Sequence, residues 1–138
     1  MLRALERMIT RSLIFTPIFL LFVALANAAP VTPAVRTEID ALLSSLQTSG
    51  CEFNRNGSWY SAAEAKTHLL RKLEHLEGKD AVQSTEQFID LAASTSSASG
   101  KPYLVRCGNT PPVESKKWLS SQLTTIRSSG RTEKSSEK

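Results

Sequence analysis

Two histidines, a dense run of serines and two isolated basic side chains are the residues whose types and spacing could do chemistry in this chain. His68 and His75 stand seven residues apart, with Glu64 four residues before His68. On a helix all three fall along one shoulder, which offers two or three ligands to a metal ion. Zinc sites need three or four protein ligands, and Glu and His at this spacing equally describe a solvated polar face, so no metal and no other cofactor is expected. Ser94, Ser96, Ser97 and Ser99 could supply a nucleophile with His68 as its base, but there is no Gly-x-Ser-x-Gly elbow, and serines at this density belong to a loop. Gly100-Lys101 has the last two residues of a phosphate loop without its second glycine, and Pro102 stands where that loop needs a hydroxyl. A binding role uses the same residues differently. Arg55 and Lys101 can hold an anionic group, with Asn56, Ser96, Ser97 and Ser99 as hydrogen-bonding partners and His68 and Tyr103 beside them. A non-enzymatic binding or interaction module is therefore the leading expectation, ahead of a small serine or metal-dependent hydrolase.

The elements that must position these residues follow from periodicity and turn chemistry. Thr32-Pro33 opens an amphipathic helix with Val35, Ile39, Leu42, Leu43 and Leu46 at helical spacing, closed by Gly50. Asn56-Gly57 lies between two runs containing aromatics and predicts a type I′ hairpin over 51–60, with Phe53 opposite Tyr60 and Asn54 opposite Trp59. Ser61 and Glu64 form a capping box for a second helix that carries Ala62, Ala65, Leu69, Leu73 and Leu76 and stops at Gly78. Ser84 with Gln87 starts a helix of about nine residues. The serine-rich loop then leads into a strand over 103–107. Ser115 caps a last helix bearing Trp118, Leu119, Leu123 and Ile126, and from 128 onward the composition predicts a disordered polar tail. The fold class is α+β: about four helices and a small antiparallel sheet in one domain over 29–127.

The amino terminus supplies an address. Arg3, Arg7 and Arg11 precede an apolar run over 13–26, and Ala26-Asn27-Ala28 has the small-x-small pattern of a cleavage site, so 1–28 reads as a signal peptide. The run is shorter than a membrane span and contains Pro17, so no stable membrane insertion is expected once the leader is cut. The whole chain has 17 basic and 13 acidic residues; subtracting the leader's three arginines and Glu6 leaves 14 against 12, a net charge of about +2. Nothing here resembles the basic, aromatic-interleaved surface of a nucleic-acid-binding protein. In an oxidising compartment the pair Cys51 and Cys107 reads as one disulfide closing a loop of about 57 residues. Cys51 shares a strand face with Phe53, and Cys107 with Tyr103 and Val105, which suits a bridge if both strands join one sheet.

The residues of the hairpin tip and the serine loop also carry a resemblance. Arg55-Asn56-Gly57, Tyr60, Ala65, His68-Leu69, Lys72, Thr85-Glu86, Phe88-Ile89, Ser96-Ser97 and Ser99-Gly100-Lys101-Pro102-Tyr103, in that order, resemble the bacterial exported proteins grouped as domain of unknown function 5329, over roughly residues 39–107. The resemblance implies a small periplasmic protein of a Gram-negative bacterium. It assigns no catalytic residue, and its partner would be a periplasmic protein or another component of the envelope. Ser99-Gly100-Lys101-Pro102-Tyr103 is also similar to the Ser-Gly-x-x-Tyr loop of periplasmic inhibitors of C-type lysozyme, whose serine enters the enzyme's cleft. That likeness implies, as a second expectation, an inhibitor of a cell-wall hydrolase acting through residues 99–103.

Overall fold

The Thr32 hydroxyl accepts the Val35 N–H at 3.3 Å, and Pro33, whose ring presets a helical φ, begins α1 (Pro33–Thr48). The computed structural model describes residues 30–136, so the expected leader at 1–28 lies outside them. β1 (Glu52–Arg55) and β2 (Ser58–Ser61) form the hairpin, with Asn56 and Gly57 at φ of 52° and 85°, the two positive values that a type I′ turn requires. Phe53 pairs with Tyr60 and Asn54 with Trp59, as the turn predicts. The chain passes from β2 straight into α2 (Ala62–Glu77) through a complete capping box: Ser61 accepts the Glu64 N–H, and the Glu64 carboxylate accepts the Ser61 N–H at 2.9 Å. α3 (Thr85–Ala92) follows, then β3 (Leu104–Arg106), β4 (Val113–Glu114) and α4 (Ser115–Ser136).

All strand pairs are antiparallel, in the order β2-β1-β3-β4. The alternation of side chains gives the sheet two unlike faces. On the outer face Glu52 stands opposite Arg106; their side chains bond at 2.7 Å, and the guanidinium lies 4.1 Å from the centre of the Trp59 ring. On the inner face Cys51, Phe53 and Val105 are buried with Ile39, Leu42, Leu43 and Leu46 of α1, Leu69 and Leu73 of α2, Phe88 and Ile89 of α3, and Leu119 and Leu123 of α4. Phe53 meets Trp118 edge-on, with ring centres 5.7 Å apart. Cys51 and Cys107 are bonded, tying the start of β1 to the residue after β3. Among the described residues no helix is long and apolar enough to cross a membrane.

One strand lies beyond the expected set, and one expectation needs correction. β4 is only two residues long and sits directly after Pro111-Pro112; a strand this short carries no alternation to recognise. The disordered tail expected from 128 is instead helical through Ser136. The hydroxyls of Ser128, Ser129 and Thr132 donate to carbonyls four residues back, so the polar composition is accommodated along the helix rather than breaking it. Every described residue from Arg127 on is exposed.

Arg127 ties three helices together. Its guanidinium bonds Glu38 of α1 at 2.8 Å and Glu86 of α3 at 2.6 Å, and it holds both carboxyls below the usual carboxylate range. A carboxyl whose folded pKa is depressed stabilises the fold above its unfolded pKa, and that stability is lost as pH falls through the folded value. Acidification below about pH 4.5 should therefore lower the melting temperature. The Arg127→Ala variant should melt lower at pH 7 and lose less on acidification; parallel melting curves against pH for the two proteins would exclude this role.

Candidate functional site

Strand alternation puts Arg55 on the inner face of the sheet, two residues beyond buried Phe53, and Tyr103 on the same face two residues before buried Val105. A cation in line with core positions is unusual and requires partners. α2 provides them: the i, i+4 pair His68 and Lys72 faces the two strands. Between α2, the hairpin and the loop of residues 94–103 lies a two-lobed cleft, with Arg55, Tyr60, His68 and Tyr103 lining both lobes. The first lobe, about 390 Å³, runs along α2 and is walled by Phe53, Ala63, Ala65 and Leu69, with Glu64, Thr67 and Arg71 at its polar margin. The second, about 410 Å³, adds Asn56, Ser58, Lys72, Ser96 and Ser97.

Arg55, His68, Tyr103 and Lys72 form one connected row along the shared wall. The guanidinium can only donate, and Arg55 Nη1 lies 2.7 Å from His68 Nδ1 and 3.3 Å from Nε2, so it faces the nitrogen edge of the ring. His68 Nε2 is also 3.3 Å from the Tyr103 hydroxyl, which can either donate to it or accept from it. The Lys72 ammonium donates to the same oxygen at 3.4 Å. Tyr103, only 7% exposed, thus meets both His68 and Lys72 through its hydroxyl. Burial, then the charges of Arg55, Lys72 and Arg71, push the His68 pKa down to about 4, so the ring is neutral at pH 7. Burial raises the Tyr103 pKa and lowers that of Lys72, to which Arg55 adds like-charge repulsion.

Arg36, Arg106, Lys116 and Arg127 each pair with a carboxylate. Of the cations with no carboxylate partner among the described residues, Arg71, Lys79, Lys101, Lys117, Arg131 and Lys134 are exposed and half-buried Lys66 bonds Gln47, whereas Arg55 and Lys72 are half-buried together on this wall. Arg55 lies 5.0 Å from the Tyr60 ring centre and Lys72 5.2 Å from that of Tyr103. Glu64 borders the first lobe, but its carboxylate is engaged by Ser61. The Nε and Nη2 groups of Arg55 also lack an acceptor among the described residues, leaving open the fork that a carboxylate or phosphate takes bidentately.

The other expected residues divide. Asn56 and Ser99 meet directly, Ser99 Oγ donating to Asn56 Oδ1 at 2.5 Å, so the hairpin tip and the serine loop are latched together. Ser96 is buried and accepts the N–H groups of Ala98 and Ser99, which shapes the loop; Ser97 is exposed at the second lobe. Lys101 is exposed and lines neither lobe; its carbonyl accepts the Ser96 N–H across the loop. The second cation of the cleft is Lys72. No serine hydroxyl bonds His68 among the described residues, and the place where a catalytic histidine has its orienting carboxylate is taken by a guanidinium. His75 is exposed, and among the described residues no group of three His, Cys, Asp or Glu could hold a metal ion.

The sequence pattern described as "Family of unknown function (DUF5329)" matches residues 33–127, which enclose both lobes and their shared wall. The chain belongs to that family. It is similar to the uncharacterized protein YfeK of Salmonella typhimurium, at 38% identity over 84 residues that cover 60% of this chain and 68% of the relative. No solved structure matches it.

Proposed function

We propose that this member of the family is a non-enzymatic binding module of the periplasm, exported by its leader, that holds an acidic group of its ligand or partner in the cleft between α2 and the hairpin. The observation that carries this reading is the convergence of half-buried Arg55 and Lys72 with the Tyr103 hydroxyl on one wall, with no carboxylate among the described residues to balance the two cations. Partly desolvated cations cost free energy unless paired, and an incoming anion supplies the missing partner. The disulfide suits an oxidising compartment. A general base near pH 7 would need a higher pKa than His68 has, which favours binding over hydrolysis.

Titration with inorganic phosphate, read from the NMR signals of Tyr103 and His68, tests the site. The wild type should saturate, and the Arg55→Gln, Lys72→Gln double variant should bind at least tenfold more weakly, about 1.4 kcal/mol, with its melting temperature little changed. Equal binding by the two proteins would refute the reading.

A further inference from the structure

The first lobe has two kinds of surface. At the shared wall stand the donors; beyond it Phe53, Ala63, Ala65 and Leu69 supply apolar lining, bordered by Glu64, Thr67 and Arg71, and the small side chains of Ala63 and Ala65 leave room between them. A small inorganic anion would use only the wall and leave this apolar lining wet. Elsewhere the described surface exposes only two large hydrophobic residues, Leu91 and Val113, so the apolar lobe is not one patch among many. Tyr103, more than nine-tenths buried, borders both lobes, and its hydroxyl is shared by His68 and Lys72.

From this juxtaposition we infer that the cleft takes an amphipathic carboxylate, with its acid on Arg55, Tyr103 and Lys72 and its apolar chain along Ala63, Ala65 and Leu69. The inference rests on the anion-binding reading above and adds the apolar half of the ligand. The carboxylate accepts from the open fork of Arg55 and from Tyr103 O–H, while the chain removes apolar surface from water. Two sources share this chemistry: an acyl chain ending in a carboxylate, and the carboxy-terminal end of a peptide with apolar side chains.

Calorimetric titration of the disulfide-bonded protein with octanoate, N-acetylleucine, acetate, octanol and inorganic phosphate tests it. At least one of octanoate and N-acetylleucine should bind tenfold or more tightly than acetate, phosphate and octanol; which of the two is tighter identifies the source. Ala63→Phe, at an exposed helical position lining the lobe, fills the space meant for the chain. It should bring octanoate and N-acetylleucine down to the acetate level and leave phosphate binding as it was. If octanoate and N-acetylleucine bind no better than acetate while phosphate still depends on Arg55, the anion site stands and the apolar half is wrong. Octanol binding as tightly as octanoate, or no measurable binding by any probe, would overturn both.

Discussion

Replacing Cys51 and Cys107 together by alanine is expected to lower the stability of the protein by about 4 kcal/mol and its melting temperature by roughly 15 °C or more. The bridge joins residues 56 positions apart, so its removal frees a long loop in the unfolded chain. In the folded chain it fastens β1 to the end of β3, the two central strands of the sheet. A domain of this size has about 5–15 kcal/mol in total, so a loss of this order removes much of the margin. Thermal unfolding of oxidised wild type, reduced wild type and the double variant should place the last two together, well below the first. A shift of less than a few degrees would mean that the hydrogen-bonded pairing of β1 with β3 holds the sheet without its covalent tie.

The second large effect is expected in the shortest helix. Phe88 of α3 is fully buried, in a core to which every other helix contributes side chains. Truncation to alanine removes the transfer free energy of the ring and leaves a cavity that an eight-residue helix can close only in part, at a cost of about 3–5 kcal/mol. Leu91, three residues later and half exposed, supplies the internal control, since its replacement by alanine should change stability by no more than about 0.5 kcal/mol. Urea titration of the two variants should separate them clearly. Similar midpoints would show that α3 docks on the core only loosely.

Much of this architecture is legible in local sequence because each element carries its own start signal. Thr32-Pro33, the Ser61 to Glu64 capping box and Ser84 with Gln87 fix three helix starts; Asn56-Gly57 fixes both the turn and the register of the hairpin. The register in turn brings Cys51 to Cys107. What sequence does not mark is structure made by the neighbours alone: β4 has two residues and exists because β3 is there to pair with it. The helical extension past Arg127 was hidden by composition, since its serines and threonines satisfy their hydroxyls on the helix itself.

The candidate site was legible in the same uneven way. Arg55, Asn56, His68, Ser96, Ser97 and Tyr103 all border the cleft, and Ser99 latches onto it through Asn56. Lys101, despite its charge and its place in the serine loop, lies outside, because the loop turns its carbonyl rather than its side chain inward. Lys72 takes its place, and one signal was available: it follows His68 by four residues on the same face of α2. Alternation along β1 gives the other clue. It sets Arg55 in line with Cys51 and Phe53, and a cation in a row of core positions marks where the core opens into a site.

An NMR pH titration of the His68 ring, with and without inorganic phosphate, tests the account most directly. In the free protein, burial and the cations around it should hold the His68 pKa near 4. Phosphate bound against Arg55 and Lys72 offsets those cations and favours the imidazolium, so the pKa should rise on binding in the wild type and stay put in the Arg55→Gln, Lys72→Gln variant. A ring that titrates near 6.5 and is indifferent to phosphate would contradict both the geometry of the shared wall and the anion site built on it.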